Sequence, residues 1–268
     1  MIEKIQVADN VALAVDAAPA SGAPVLVLSS SIGADMHMWD EVIPLLSSRF
    51  RIVRYDTRGH GSSDAGRGPV TIENLGSDVI AILDHLGISR AFLCGLSLGG
   101  LTAQWLALHH PDRFAGVILA NTAPNFPPAS MWHDRAKTVR EQGMQPLVAA
   151  TLDRWLTKSF RDSHPDRVAE VSKMIAGTSA EGYALCCEVL AQTDMSDKLG
   201  AVRIPVRVIC GEQDPSTTPL RGKELVDRIA LADMITIPAA HISAIEAPEQ
   251  FANGVLEFVS RHASERQS

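Results

Sequence analysis

Ala91-Phe92-Leu93-Cys94-Gly95-Leu96-Ser97-Leu98-Gly99-Gly100 is a short apolar run that breaks at a serine set between glycines. A serine hydroxyl is a weak nucleophile at neutral pH. A chain that uses one must expose the oxygen, place a base beside it and stabilise the oxyanion that forms. G-x-S-x-G meets the first requirement: it predicts Ser97 on a tight, strained turn between strand and helix, with Gly95 and Gly99 leaving room for backbones that pass close by. The flanks agree with that geometry. Ala91 to Cys94 (AFLC) reads as a strand, and Leu98 to His110 carries helical apolar spacing at Leu101, Trp105 and Leu108 before Pro111 stops it.

Upstream, IEKIQVA and VALAVDAA read as two strands meeting in a hairpin at Asp9-Asn10. Pro24 to Ser29 (PVLVLS) is apolar on both faces, as a central parallel strand beneath helices should be, and it ends in Ser29-Ser30-Ser31-Ile32-Gly33. A helix is expected over Trp39 to Ser48 and a strand over Phe50 to Tyr55, followed by the loop Asp56-Thr57-Arg58-Gly59-His60-Gly61-Ser62-Ser63. From Thr71, a predicted N-cap, Ile72, Leu75, Val79, Leu83 and Leu86 step along one helical stripe that Gly87 ends.

Downstream, Gly116 to Asn121 (GVILAN) is another buried strand, after which the alternation stops. Between residues 124 and 199 only helical segments are legible, over Met131 to Gln142, Gln145 to Thr157, Pro165 to Ile175 and Ser179 to Gln192. Alternation resumes with Pro205 to Cys210, a helix over Pro219 to Ile229, the strand Ala232 to Pro238 and a closing helix from Pro248 to about His262. Strands alternating with helices imply an α/β fold, here a mostly parallel eight-stranded sheet with helices on both faces. The core is expected over 1–123 and 200–268. The all-helical insertion 124–199 is expected to lie over the sheet's C-terminal edge as a lid.

Composition narrows the setting. The chain has 268 residues, 46% of them hydrophobic, which suits one core with an insertion. Its formal charge of −7 argues against nucleic acid or acidic membrane as partner. MIEKIQVADN has neither the basic end nor the apolar run of a secretory leader, and no stretch approaches the roughly 18 apolar residues of a membrane span, so a soluble cytoplasmic protein is expected. Cys94, Cys186, Cys187 and Cys210 form no C-x-x-C pair and read as buried small hydrophobes rather than zinc ligands or disulfides.

Loops at the carboxyl ends of parallel strands converge on one edge, where ligands bind. Ser97, Asp214 and His241 each follow a predicted strand, so the three can meet there. His241 is then the base for Ser97 and the later activator of water, and Asp214 fixes its tautomer. Glu212 competes with Asp214 because two residues along a loop preserve direction; the turn-like Asp214-Pro215 favours Asp214. The oxyanion hole is expected from the backbone N–H groups of Leu98 and Ile32, or of Ser31 if the loop is set differently.

With DTRGHGSS (residues 56–63) and the order serine, acid, histidine, the chain resembles the α/β-hydrolase superfamily over essentially its whole length. More narrowly, LVLSSSIGADMHMWD, YDTRGHGSS, LCGLSLGG, LANTAP followed by Trp132-x-x-Arg135, and ICGEQDPSTTP resemble the 3-oxoadipate enol-lactonases of the β-ketoadipate pathway. One departure is visible: Ser30-Ser31 stands where many hydrolases have His-Gly and the lactonases commonly Asn-Ser. The resemblance implies hydrolysis of 3-oxoadipate enol-lactone to 3-oxoadipate without metal or organic cofactor, the partner being a small anionic lactone. A carboxylate on that lactone needs a cation near the pocket of an acidic protein; Arg135, with Trp132 one turn earlier, is the expected contact. Arg58 is not expected to touch substrate, because its loop, DTRGHG (residues 56–61), is expected to support the sheet edge and the oxyanion loop. Other small-ester or carbon-carbon bond hydrolases, and a ligand receptor on the same fold, remain alternatives from the residues alone.

Overall fold

The computed structural model describes residues 2–8 and 10–263. Among these, eight strands form one sheet in the order β1-β2-β4-β3-β5-β6-β7-β8. The strands are β1 (Ile2–Ala8), β2 (Val11–Ala17), β3 (Val25–Ser29), β4 (Arg51–Tyr55), β5 (Ala91–Leu96), β6 (Phe114–Ala120), β7 (Val206–Gly211) and β8 (Ala232–Ile237). β2 runs antiparallel to both β1 and β4, and every pairing from β4 to β8 is parallel. Asn10, with φ 57°, lies at the β1–β2 turn, while Asp9 falls outside the described residues.

The chain leaves β3 toward β4 and leaves β5 toward β6, in opposite directions across the sheet. Such a reversal opens a crevice at the carboxyl ends of the two strands. The segments that follow them are the Ser30–Gly33 loop and Ser97.

The helices are α1 (Ile43–Leu46), α2 (Ile72–His85), α3 (Leu98–His109), α4 (Ala129–Gln142), α5 (Val148–Trp155), α6 (Lys158–Ser163), α7 (Pro165–Gly177), α8 (Ala180–Gln192), α9 (Pro219–Arg228), α10 (Ser243–Glu246) and α11 (Pro248–Ala263). Every residue of α3 from Leu98 to Ala107 is buried, because the helix crosses β3, β5 and β6 while α2 covers its outer side. That explains why it is apolar all round rather than striped. Thr71 caps α2 in a capping box with Asn74, as its position predicts. Cys94, Cys186, Cys187 and Cys210 are all buried free thiols.

Two helical expectations need correction. Trp39 to Ser48 is a single turn over Met36–Trp39 followed by the short α1, which starts at the Ile43-Pro44 step where proline suits a first turn. The continuous helix expected over Gln145 to Thr157 is instead a turn at Gln145–Leu147 followed by α5, ending at Trp155. Thr157 then caps a further helix, α6, by accepting the Phe160 N–H.

Between β6 and β7 the described residues contain α4 to α8 and no strand. The segment departs and returns side by side: Met195 N–H donates to the Pro124 carbonyl at 2.9 Å and Asn125 Nδ2 to Asp194 Oδ2 at 2.8 Å. It meets the core backbone to backbone as well. A Cβ on Gly59 would lie 2.2 Å from the Gly182 Cα, so α8 rests directly on the loop after β4. No helix among the described residues is long and apolar enough to cross a membrane.

Candidate active site

Ser97 has φ 58° and ψ −112°, a left-handed conformation that costs a non-glycine residue about 1–3 kcal/mol and persists only where surroundings enforce it. The enforcement is local. Ser97 N–H is bonded to the Ala120 carbonyl at 2.9 Å, and Thr122 Oγ1 donates to the Ser97 carbonyl at 2.8 Å. The flanking glycines allow it: a Cβ on Gly95 would sit 2.1 Å from the Gly99 carbonyl oxygen, and one on Gly99 would sit 2.1 Å from that of Ser29.

Asp214, beyond β7, is buried and anchored by five hydrogen bonds. Its Oδ1 accepts the N–H groups of Ser216 (2.8 Å) and Thr217 (3.0 Å); its Oδ2 accepts Thr217 Oγ1 (2.6 Å), Asn121 Nδ2 (3.0 Å) and His241 Nδ1 (2.8 Å). Burial alone pushes this carboxyl up, yet the charge and hydrogen bond of His241, with the bonds from Thr217 and Asn121, outweigh it and hold the group well below the ordinary carboxylate range. Glu212 is exposed and makes none of these contacts.

With Nδ1 committed to Asp214, His241 has Nε2 left for another partner. It borders, together with Ser97, a cavity of about 430 Å³. Ser97 Oγ makes no hydrogen bond among the described residues, as is common before substrate tightens such a contact. The sequence thus brings the acid and the imidazole into contact and the serine and the imidazole to one cavity.

Two backbone N–H groups near the cavity, those of Leu98 and Ile32, have no partner among the described residues. Leu98 is the first residue of α3, where the helix supplies no acceptor. In the β3 loop, Ser31 N–H is turned to Met38 Sδ at 3.4 Å and Gly33 N–H to His60 Nε2 at 2.9 Å, while Ile32 N–H between them has no partner among the described residues. Ser31 and Ile32, the two alternatives from sequence, thus differ in that only the Ser31 N–H has a partner here.

His60 explains the Asp56–Ser63 loop. Its Nδ1 meets the Arg58 carbonyl at 2.9 Å and its Nε2 accepts from Gly33, so the two partners together assign a neutral ring protonated at Nδ1. Burial lowers its pKa from the ordinary 6.5, against the pull of the Arg58 carbonyl. Arg58 itself is held by Asp78 of α2, through bonds of 2.5 and 2.6 Å. Because the folded value is the lower one, the unfolded chain binds the proton more readily, and stability rises with pH in that window. The ring's contribution is full above 6.5 and is lost as pH falls below it through the lowered folded value. Urea midpoints between pH 8 and pH 5 are therefore expected to fall more steeply for wild type than for His60→Gln, whose amide can donate and accept without titrating.

Sequence reasoning missed Asn121. It is fully buried, has φ 42°, and joins three parts of the site: Nδ2 donates to Asp214 and, at 3.1 Å, to the Ala240 carbonyl, while Oδ1 accepts Ser243 Oγ at 2.5 Å. Asparagine is among the few residues that tolerate such a backbone, and an Asn closing a buried strand was the available signal.

The cavity is also lined by the insertion. Trp132 and Arg135 of α4 are both there, the guanidinium 4.7 Å from the indole centroid, and Trp132 Nε1 is fixed to the Phe126 carbonyl at 2.7 Å. α5 contributes Trp155 and Arg154, the latter absent from the sequence expectation. Arg154 donates to Thr151 Oγ1 at 3.1 Å, and the neighbouring Asp153 is taken by Arg161 at 3.0 Å. Burial, then the positive charge of Arg135, lower the Arg154 pKa. Burial raises the Tyr183 phenol to about 12, with the next contribution from Cys187, while both arginines pull it down. A third lining arginine, Arg221, is already paired with Glu224. Among the described residues, neither Arg135 nor Arg154 ion-pairs with a carboxylate, and no group of three or more His, Cys, Asp or Glu side chains could hold a metal ion.

The architecture and this edge of the sheet are those of a hydrolase fold. The family described as alpha/beta hydrolase fold has a model that matches residues 24–248, and the chain belongs to that family. Within it, the chain is 44% identical over 238 residues to 3-oxoadipate enol-lactonase 2 of Acinetobacter baylyi, covering 89% of each sequence. Its structure is similar to the enol-lactonase of Burkholderia xenovorans LB400, with a TM-score of 0.93 and 39% identity over 96% of this chain and 99% of that one. A thermophilic esterase of Thermogutta terrifontis, solved with malate bound, gives a TM-score of 0.91 at 28% identity, over 98% of this chain and 99% of that one.

Proposed function

We propose that this chain is a serine hydrolase that opens 3-oxoadipate enol-lactone to 3-oxoadipate. One observation carries the reading: the cavity is lined both by Ser97 and His241 and by two guanidinium groups without a carboxylate of their own. Two cations brought together and partly desolvated repel each other, so an arriving carboxylate relieves a cost already present in the fold. A net charge of −7 repels anions at long range, and the local pair offsets that where the substrate binds. The names of the relatives and the dicarboxylate held by the esterase neighbour point the same way.

In this reading Ser97 Oγ attacks the lactone carbonyl while His241 Nε2 takes its proton, and Asp214 stabilises the imidazolium. The N–H groups of Leu98 and Ile32 hold the oxyanion. Collapse breaks the ring C–O bond and expels an enolate, which takes up the proton from His241; being a better leaving group than an alkoxide, it needs little help. Water activated by His241 then cleaves the acyl-enzyme, and the released enol tautomerises to the ketone. Residues 124–199 act as the lid on the core of 1–123 and 200–268, and Trp132 gives the Arg135 guanidinium a flat face to lie against.

The test is selectivity. Arg135→Ala and Arg154→Ala are each expected to raise KM for the carboxylated lactone about ten- to a hundredfold, as loss of a charge-assisted hydrogen bond would. Turnover of a neutral ester such as phenyl acetate should stay close to wild type. If the wild-type enzyme does not prefer the carboxylated lactone over its methyl ester, the anion subsite does not exist.

A further inference from the structure

The two residues on either side of His241 are tied to the insertion. Ile242 N–H donates to the Trp155 carbonyl at 3.0 Å. On the other side, the Glu246 carboxylate accepts Ala240 N–H at 2.9 Å, Thr157 N–H at 3.2 Å and the Thr157 hydroxyl. Residues 155 and 157, at the end of α5, are thus bound to residues 242 and 240 across one short seam. Glu246 has no ion-pair partner among the described residues; donors from both sides of the seam compensate its charge instead. A carboxylate is the one side chain with two acceptor-only oxygens for such a set.

What the seam joins is mechanistically telling. On one side stands the imidazole. On the other, α5 ends in Arg154 and Trp155, both lining the cavity. Arg161 fastens this end further by donating to the Leu156 carbonyl at 2.5 Å, and Thr157 Oγ1 caps α6 through Phe160 N–H at 3.2 Å.

We infer that Glu246 is a positioning residue that sets the span between the anion subsite on α5 and the His241 ring, and so matches the enzyme to a lactone whose carboxylate lies a fixed distance from its reactive carbonyl. The inference rests on the subsite reading above. Glu246 touches no substrate; it acts by keeping α5 and the histidine loop in one register.

In Glu246→Gln one oxygen becomes an NH2 group, which sets a donor against the N–H of Thr157 or Ala240 and opens the seam. Thr157→Val removes the hydroxyl, which both donates to Glu246 and caps α6, and Thr157→Ser restores both. The readout is the ratio of kcat/KM for the carboxylated lactone to that for phenyl acetate, since a loss of stability alone lowers both equally. A misplacement of about 1 Å costs on the order of a hundredfold, so a 10- to 100-fold fall in the ratio is expected for Glu246→Gln. A smaller fall is expected for Thr157→Val, and a near wild-type ratio for Thr157→Ser. Should Glu246→Gln not fold, the Val and Ser pair carries the test. A wild-type ratio in folded Glu246→Gln or in Thr157→Val, with or without a fall in both activities, overturns the inference and leaves the subsite standing. Absence of a carboxylate preference in the wild-type enzyme removes the subsite, and the inference with it.

Discussion

Replacing Ser97 with alanine is expected to lower kcat for the lactone by about 10⁴- to 10⁶-fold while the fold is retained. The size of the loss follows from what the hydroxyl does: without it there is no covalent intermediate, and what remains is whatever the oxyanion-directed amides and the oriented imidazole give to direct attack by water. The side chain lost is only an oxygen that makes no hydrogen bond among the described residues, so thermal unfolding should be close to wild type. The backbone at 97 keeps its bonds to Ala120 and Thr122. Burst-phase kinetics check the covalent route. With phenyl acetate, whose phenol departs separately, wild type should release one phenol equivalent per site faster than it turns over if deacylation is slower, and the alanine variant should show no burst. Turnover within tenfold of wild type would reject the nucleophile.

Asp214→Asn should be nearly as severe, about 10³- to 10⁴-fold in kcat, for a different reason. Oδ2 of Asp214 accepts from three donors at once: His241 Nδ1, Thr217 Oγ1 and Asn121 Nδ2. An amide in that place cannot accept from all of them. If its NH2 faces the ring, His241 must present a bare Nδ1, which moves the proton to Nε2, the nitrogen that should take one from Ser97. If its oxygen faces the ring, the NH2 opposes the Ser216 and Thr217 N–H groups that now bind Oδ1. Nitrogen-15 NMR of the imidazole distinguishes the two tautomers. A variant that keeps wild-type kcat with an unchanged tautomer would remove Asp214 from the mechanism.

That Ser97, Asp214 and His241 come to one edge could be read from sequence because each depends on one local fact, a buried strand that stops, and because parallel strands bring such stops together. PVLVLS and GVILAN, apolar on both faces, left little room for another sheet. What stayed hidden depended on tertiary geometry. Arg154 directly precedes Trp155, and adjacent helical residues point about 100° apart, so the inward stripe of α5 did not carry the arginine with it. Lys158–Ser163 is polar apart from Phe160 and shows no period; Thr157 as an N-cap was its only mark. His60 was legible only as part of a loop expected to support the oxyanion loop, and Glu246 gave no signal, since its bond to Thr157 joins backbone distant in sequence.

The seam at Trp155–Thr157 gives the two arginine-bearing helices unequal freedom to diversify. α5 is bonded to the histidine loop, so a change that shifts it alters the span to the imidazole on which choice of a carboxylated substrate rests. α4 packs chiefly on α8 and, among the described residues, makes no backbone hydrogen bond to the segments that carry Ser97, Asp214 and His241. A lineage or an engineer seeking a new acyl partner would therefore gain most by rewriting α4, where Trp132 and Arg135 can be exchanged with little disturbance to the machinery beneath.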